Sequence, residues 1–114
     1  MRQAGVLAAA GIYALENNVE RLATDHENAR ALARALTGIE GVAVAPSGAQ
    51  TNMLYINVEA QRSVRMREAL KSQGILISGQ GSIRLVTHLD IDRADVDRFV
   101  NAVRDFSSSA AKAA

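Results

Sequence analysis

Few side chains of this 114-residue sequence have the types needed for chemistry. Arg84 lies inside a stretch rich in β-forming residues, and His88 follows it four positions later. A guanidinium can hold a carboxylate through two parallel charge-assisted hydrogen bonds, an orientation that lysine cannot reproduce. From the residues alone, Arg84 has two interpretations: a fork that binds a carboxylate, or an arginine near a strand end that pairs with a surface acid.

The two histidines do not form an obvious site. His88 could act as a base, but its position favours a loop histidine that caps a strand end. His26 falls on the apolar stripe of a predicted helix, which favours a core or boundary histidine. Because two isolated histidines without an acid cluster do not make a metal site, we predict none. The stretch 79–81 (Gly-Gln-Gly) predicts a turn rather than a phosphate loop, since no helix start follows it.

Lysine is scarce, and cysteine is absent. Lys71 is predicted on the polar side of a helix beside Glu68, and Lys112 lies near the C-terminus. A lysine that forms an imine needs a buried setting that lowers its pKa, and neither position offers one. The lack of cysteine excludes disulfides, thiolate catalysis and cysteine-based metal sites. We therefore predict no catalytic residue in this chain.

The composition is that of one globular domain, with 48% hydrophobic and 22% charged residues. The formal net charge of +1 gives no electrostatic argument for binding nucleic acid or an anionic membrane. An uncharged apolar run over residues 4–15 is too short to span a bilayer and lacks a secretory layout. These observations predict no nucleic-acid or membrane partner and favour the cytoplasm.

The same apolar run predicts a helix over residues 2–16 that differs from a surface helix. A surface helix has one apolar stripe and one polar face, whereas this segment is apolar and small all the way round. We therefore expect it to be buried on every side. Its cover would be the missing part of a longer protein or a neighbouring subunit, which predicts a homo-oligomer formed through Val6–Leu15.

The remaining sequence predicts alternating short helices and strands. A capping box of Asn17 and Glu20 starts a second helix that ends near residue 37, and Asp92 with Asp95 starts the last helix. A further helix is predicted over 63–72, and strands over 41–45, 51–58, 75–77 and 82–87. The predicted fold is α+β: a small antiparallel or mixed sheet with helices packed on one face, preceded by the long apolar helix. The predicted domains are 1–16 as a connecting helix, 17–106 as a small α+β domain, and 107–114 as a disordered tail.

Four stretches together resemble the low-specificity threonine aldolases, which are pyridoxal-phosphate enzymes of the aspartate-aminotransferase fold (fold type I). Met1–Gly11 (MRQAGVLAAAG) and Ile83–His88 (IRLVTH) resemble two signatures of that family. Asp25–Arg30 and Thr51–Met53 also fit, in the right order and spacing. The resemblance covers residues 1 to about 106. It implies the C-terminal third of a longer enzyme, namely the helix that leads out of the large domain and then the small domain.

The resemblance also implies roles for residues. In the family, the arginine that matches Arg84 binds the substrate carboxylate, and the one that matches Arg2 lies close to the cofactor cleft. Arg2 could equally be a solvated residue at a helix start, and Gln3 carries a weaker signal. The family's Schiff-base lysine belongs to the large domain, so this chain alone is expected neither to hold pyridoxal phosphate nor to cleave threonine. The intact enzyme would cleave L-threonine or L-allo-threonine to glycine and acetaldehyde.

Two alternatives remain open from the sequence. The chain could be a stand-alone α+β domain that binds a ligand without chemistry, or an interaction module that docks through its first helix. The first helix separates these alternatives. A stand-alone domain should bury it against its own sheet, whereas the C-terminal part of a longer enzyme should leave it exposed, swapped or disordered.

Overall fold

The computed structural model describes residues 1–113, which form four helices and three strands. These are α1 (Ala4–Asn17), α2 (Leu22–Leu36), β1 (Ala43–Val44), β2 (Met53–Asn57), α3 (Ala60–Ser72), β3 (Ser82–Val86) and α4 (Arg93–Lys112).

The three strands form one antiparallel sheet in the order β1-β2-β3. Alternate residues of β2 and β3 are buried, including Leu54 and Ile56, which pair with Leu85 and Ile83. The residues between them point to the other face of the sheet, as the two-residue period of a strand requires. The α+β prediction, with an antiparallel sheet and helices on one face, is confirmed.

The core lies between the buried face of the sheet and the helices α2, α3 and α4. Leu36, Met66, Leu70 and Val103 have no more than a trace of exposed surface and meet the buried strand residues there. Burial of apolar side chains is the main favourable term in folding. The face of the sheet opposite these helices is left uncovered within the described residues.

Two helix starts have side-chain caps. The Glu59 carboxylate accepts hydrogen bonds from the backbone N–H groups of Gln61 and Arg62 at 2.9 and 2.8 Å, so α3 begins at Ala60, earlier than predicted. Asp92 and Asp95 form the predicted capping box of α4. Such caps satisfy backbone donors that have no partner inside the helix.

The predicted capping box of Asn17 and Glu20 is wrong. The Asn17 side-chain amide donates to the carbonyl of Tyr13 at 2.9 Å, so α1 continues through Asn17. Helix α2 begins only at Leu22, after Arg21, which gives no side-chain cap. The asparagine thus bonds backward along the first helix and is not free to start the second.

The tail predicted from residue 107 is also corrected, because α4 continues to Lys112. Ser107 is buried, and its hydroxyl oxygen accepts a hydrogen bond from the Arg62 guanidinium at 3.2 Å. Alanine and lysine after it are good helix formers. The last residue of the predicted tail, Ala114, lies outside the described residues.

The strand predicted over 75–77 is absent from the sheet. Ile75, Leu76 and Ile77 make no ladder hydrogen bonds, and a cavity lies between them and the edge of β3. The element order is therefore ααββαβα, one strand fewer than predicted.

Helix α1 confirms the predicted long apolar helix, but the described residues do not bury it. None of its residues is buried, and Val6, Leu7 and Leu15 are 72%, 64% and 72% exposed. It makes no extended contact with the other helices or the sheet. The cover expected for this helix is therefore not supplied by residues 1–113.

Candidate functional site

The face of the sheet away from the helices carries the candidate site. Tyr55 of β2 and Arg84 and Val86 of β3 are exposed on this face, which we call the open sheet face. It arises because Leu54, Ile56, Ile83 and Leu85 alternate with them and point into the core. The alternation thus delivers one charged side chain to a surface that is otherwise neutral along these two strands.

Arg84 lies in the middle of β3, directly opposite Tyr55. Within residues 1–113 its guanidinium makes no ion pair and no side-chain hydrogen bond, so the sequence interpretation of a surface ion pair finds no acid partner there. Arg21, by contrast, grips Asp25 through two hydrogen bonds of 2.7 and 3.0 Å. The planar donors of Arg84 are therefore available to a carboxylate on the open sheet face.

The backbone N–H and C=O groups of Arg84 are not bonded to β2. The Thr87 N–H donates to the Asn52 carbonyl, and the Val58 N–H donates to the Gly81 carbonyl. Thr87 with Asn52, and Val58 with Gly81, are therefore hydrogen-bonded pairs of the ladder. Because such pairs alternate along an antiparallel ladder, Arg84 lies at a position not bonded to β2. Its N–H and C=O groups, like those of Val86, therefore point to the free edge of β3.

A cavity of about 460 Å³ lies along this free edge. One wall is the stretch 84–87, the opposite wall is the stretch 74–78, and the floor includes Leu32, Val96 and Phe99. Arg98 and two acids, Asp90 and Asp95, line its rim. Arg84 thus stands where the open sheet face and the cavity meet.

The end of β3 is fixed by a polar network that the sequence did not reveal. The Thr87 hydroxyl, which is buried, donates to the backbone carbonyl of Asp25 at 2.7 Å. The Asn52 side chain donates to the Thr87 carbonyl at 2.8 Å. Asp25 is buried at 2% exposure beside Arg21. The only sequence signal was that Asp25, Asn52 and Thr87 all fall within the quoted motifs.

His88 lies just beyond this network and is exposed. Its ring Nδ1 accepts a hydrogen bond from the backbone N–H of Asp90 at 3.3 Å, and the same atom is 3.9 Å from an Asp90 carboxylate oxygen. The ring therefore contacts the loop after β3, as the loop interpretation expects. His26 is half-buried on α2. The residues that the structure describes contain no cluster of three or more histidine, cysteine, aspartate or glutamate side chains able to hold a metal ion.

The other residues singled out by the sequence stay apart from Arg84. Lys71 lies exposed on α3, and Lys112 lies exposed in the last turn of α4. Arg2 is exposed ahead of α1, and Gln3 occupies the N-cap position in a left-handed conformation with φ 58°, without a side-chain hydrogen bond to the helix. No contact within residues 1–113 joins Arg2 and Arg84 in one site.

Two carboxylates on the helices have lowered pKa values. Backbone N–H groups of Gln61 and Arg62 lower the pKa of Glu59, and a hydrogen bond from Arg34 lowers that of Glu27. Both groups lie on solvated helix surfaces, so they serve the helices rather than a reaction. None of the helices within residues 1–113 has the length and apolar character needed to cross a membrane.

Comparison with known proteins places this chain in a family. The model of the beta-eliminating lyases matches residues 1–59, which include α1, α2 and all of β2. The chain belongs to the beta-eliminating lyase family. The stretch that carries Arg84 lies outside the range matched by the family model. Individual relatives match a larger share of the chain, 82% and 85% in two cases.

Those relatives are threonine aldolases. Over 93 residues the chain is 44% identical to the low specificity L-threonine aldolase of Escherichia coli (strain K12), covering 82% of this chain and 27% of the relative. It is 39% identical over 102 residues to the probable low-specificity L-threonine aldolase 2 of Arabidopsis thaliana, covering 85% of this chain and 29% of the relative. The chain thus spans less than a third of the length of the curated relatives it matches.

Solved structures show the same fold at lower identity. A C-DES mutant with glycine covalently linked to its PLP cofactor superposes with a TM-score of 0.71 at 21% identity, covering 90% of this chain and 28% of that one. A putative L-allo-threonine aldolase from Listeria monocytogenes EGD-E gives 0.65 at 17% identity, covering 82% and 30%. The fold of this family member is therefore that of one part of a fold-type I pyridoxal-phosphate enzyme, which confirms the expected fold.

Proposed function

We propose that the full-length protein is a pyridoxal-phosphate-dependent threonine aldolase, which cleaves L-threonine or L-allo-threonine to glycine and acetaldehyde. The observation that carries the proposal is Arg84, an arginine without an acid partner among residues 1–113 and exposed on the open sheet face. It lies in the IRLVTH stretch, inside a chain 44% identical to a threonine aldolase. The stand-alone alternatives have no comparable observation in their favour, and a stand-alone domain should have buried α1.

In this proposal Arg84 binds the substrate carboxylate. Two parallel N–H donors fix both the position and the rotation of the amino acid, so that its Cα–Cβ bond is held in one direction. The exposed guanidinium needs no rearrangement of an existing ion pair before it can bind. Bound pyridoxal phosphate supplies the electron sink for breaking the Cα–Cβ bond.

The residues of this chain do not fit the cofactor itself. Both lysines are exposed, and the buried carboxylate of Asp25 is already held by Arg21. We therefore propose that the rest of the full-length protein holds pyridoxal phosphate and that this chain alone does not. Mixing the purified chain with the cofactor tests this point, since a stoichiometric new absorption band would contradict it.

The direct test of the activity uses the full-length protein. We expect it to release glycine and acetaldehyde from L-threonine and L-allo-threonine, measured by amino-acid analysis and by an aldehyde-coupled assay. The matched control is the same protein stripped of pyridoxal phosphate, which should be inactive until the cofactor is restored. Absence of aldehyde release by the loaded protein would contradict the proposed function.

The proposal also assigns an assembly. We propose that the full-length protein is a homo-oligomer in which Val6–Leu15 contacts a neighbouring copy, supported by exposed Ile12 and Tyr13 beside Val6, Leu7 and Leu15. Sedimentation of the full-length protein and of a Leu7→Glu/Leu15→Glu variant tests it, and the variant should dissociate. A wild type that sediments as a monomer, in the same way as the variant, would contradict the proposed oligomer.

Three smaller assignments remain proposals. Arg2 contacts the cofactor cleft of the full-length protein, and Arg2→Ala should weaken binding of pyridoxal phosphate there. Residues 1–16 connect the large and small domains, and the small domain predicted over 17–106 continues to the end of α4 at Lys112. The protein is cytoplasmic, which fractionation of cells that express the full-length protein tests.

A further inference from the structure

The stretch Ile75–Ser78 is anchored at both ends and free between them. Ile75 N–H donates to the Leu70 carbonyl at 3.0 Å, where α3 ends. At the other end, the Arg67 guanidinium donates to the Gly79 carbonyl at 3.0 Å. Between these anchors the stretch makes no ladder hydrogen bond and forms one wall of the cavity beside β3. We call Ile75–Ser78 the strap.

The turn after the strap already has the geometry of a strand pair. Gln80 and Ser82 form an antiparallel bridge, in which the Ser82 N–H donates to the Gln80 carbonyl at 2.9 Å. Gly79 and Gly81 have φ values of +106° and +76°, which a glycine adopts without strain. The chain thus reverses direction between the strap and β3, so that the strap lies antiparallel along the free edge of β3.

The register of that bridge matches the free backbone groups of β3. Extending the bridge by two residues at a time places Ser78 opposite Arg84 and Leu76 opposite Val86. Arg84 and Val86 are the β3 residues whose N–H and C=O groups point away from β2. The extended ladder would therefore give each of these groups a partner.

The burial of the strap fits the same register. Ile75 and Ile77 are half-buried, whereas Leu76 and Ser78 are exposed, with Leu76 at 78%. Side chains of opposite residues in an antiparallel pair lie on one face. Ile75 and Ile77 would thus join the core, and Leu76 and Ser78 would join the open sheet face.

We propose that the strap closes onto β3 as a fourth antiparallel strand and thereby brings the Ser78 hydroxyl beside Arg84, where it donates a hydrogen bond to the bound carboxylate in addition to the two from the guanidinium. Closure removes the cavity and satisfies the free edge of β3. The role of Ser78 rests on the proposed function, whereas closure of the strap does not.

Cross-linking tests closure without any assay of activity. The chain has no cysteine, so a Leu76→Cys/Val86→Cys variant carries only the two introduced thiols. In the closed register their Cα atoms lie about 5.5 Å apart, a distance that a disulfide spans. We expect an intramolecular disulfide on mild oxidation, measured by intact mass and non-reducing electrophoresis.

The matched control is Leu76→Cys/Ser82→Cys, which is four residues out of register. Its thiols would lie about 13 Å apart along the closed strap, so it should oxidise at least ~10-fold more slowly. Equal rates for the two pairs would overturn closure. Amide hydrogen exchange of the wild-type chain gives a second measurement: Arg84 and Val86 should be protected, and rapid exchange at both would also overturn it.

The role of Ser78 is tested in the full-length protein. Ser78→Ala should raise the KM for L-threonine about tenfold with little change in kcat, and Ser78→Thr, which keeps the hydroxyl, should restore the KM. An unchanged KM in Ser78→Ala, with a raised KM in Arg84→Lys, would overturn the role of Ser78 alone. If the wild type cleaves no threonine, the proposed function fails, while the cross-linking result still decides closure.

Discussion

Thr87 Oγ1 lies 2.7 Å from the backbone carbonyl oxygen of Asp25 and donates a hydrogen bond to it, which ties the end of β3 to the first turn of α2. The same hydroxyl oxygen lies 3.3 Å from the Asn52 carbonyl oxygen. Arg84 precedes Thr87 by three residues on the same strand. The network at Thr87 therefore holds the end of the strand that carries the candidate carboxylate-binding side chain.

Replacing Thr87 by valine should destabilise the chain by about 1 kcal/mol, because a buried hydrogen bond is lost while the side-chain size is nearly unchanged. Urea unfolding followed by circular dichroism measures the change. The control is Thr37→Val, at an exposed threonine just after α2, which should change stability by less than ~0.5 kcal/mol. Equal losses in the two variants would contradict the importance of the buried network.

Gly41→Ala should cost more stability than Gly38→Ala. Both glycines have positive φ, +78° and +88°, so each alanine adopts a left-handed conformation at about 1–2 kcal/mol. Only at Gly41 would the new Cβ also meet the Arg62 guanidinium, at 2.5 Å from Nε. Arg62 would then leave Phe106, whose ring centroid lies 5.5 Å from its Cζ, and the carbonyl of Glu40.

A double mutant separates these causes. In an Arg62→Ala background there is no guanidinium to displace, so Gly41→Ala should cost the same as Gly38→Ala within about 0.5 kcal/mol. Thermal or urea unfolding of the wild type, Gly38→Ala, Gly41→Ala, Arg62→Ala and the two glycine variants in the Arg62→Ala background provides the measurement. Persistence of the full difference without Arg62 would show that the strain has another source.

Arg84→Lys in the full-length protein should raise the KM for L-threonine by about 10- to 100-fold, because lysine keeps the charge but loses the bidentate geometry. Arg84→Ala should be weaker still, and neither change should alter stability by more than ~0.5 kcal/mol at this exposed position. Arg65→Lys, at an exposed arginine of α3, is the control and should leave the KM unchanged. An unaltered KM in Arg84→Lys would contradict the proposed role.

The cap at Glu59 predicts a pH dependence of stability. Its pKa lies below the ordinary 4.5 because the Gln61 and Arg62 N–H groups bind the carboxylate. The stabilisation is therefore fully present above about pH 4.5 and is lost as the pH falls through the lower folded-state pKa. The stability difference between the wild type and Glu59→Gln should be constant from pH 7 to 5 and shrink below that range.

Urea unfolding at several pH values measures this difference. Glu68→Gln is the control for loss of a carboxylate on the same helix, because the Glu68 side chain caps no backbone amide. A Glu59→Gln difference that grows on acidification has the wrong sign and would contradict the cap.

Most of the fold could be predicted because its signals are local. The alternation of apolar residues over Met53–Asn57 and Ser82–Val86 and the aspartates at positions 92 and 95 define their elements without reference to the rest of the chain. Arg84 was proposed as the carboxylate-binding residue in the same way, from its residue type and the motif around it.

The errors have tertiary causes. Ile75–Ile77 has strand composition, but it makes no ladder hydrogen bonds because a cavity lies between it and β3. The local sequence around Asp25 resembles that of a solvated acid and does not show that Arg21 and the end of β3 contact it. Ser107 looks like the start of a tail until Arg62, 45 positions earlier, donates to its hydroxyl. No periodicity in one sequence encodes such long-range partners.

The alternation of buried and exposed residues along β3 also limits how this chain can vary in length. A shift of one residue between β2 and β3 would turn Arg84 into the hydrophobic core and expose Leu85. A shift of two would return each side chain to its original face of the sheet. An insertion or deletion of an odd number of residues within this strand would therefore reverse the face of every side chain beyond it, whereas an even number would not. Whether the number of inserted or deleted residues is odd or even, rather than its size, therefore decides whether the buried face of the strand is kept.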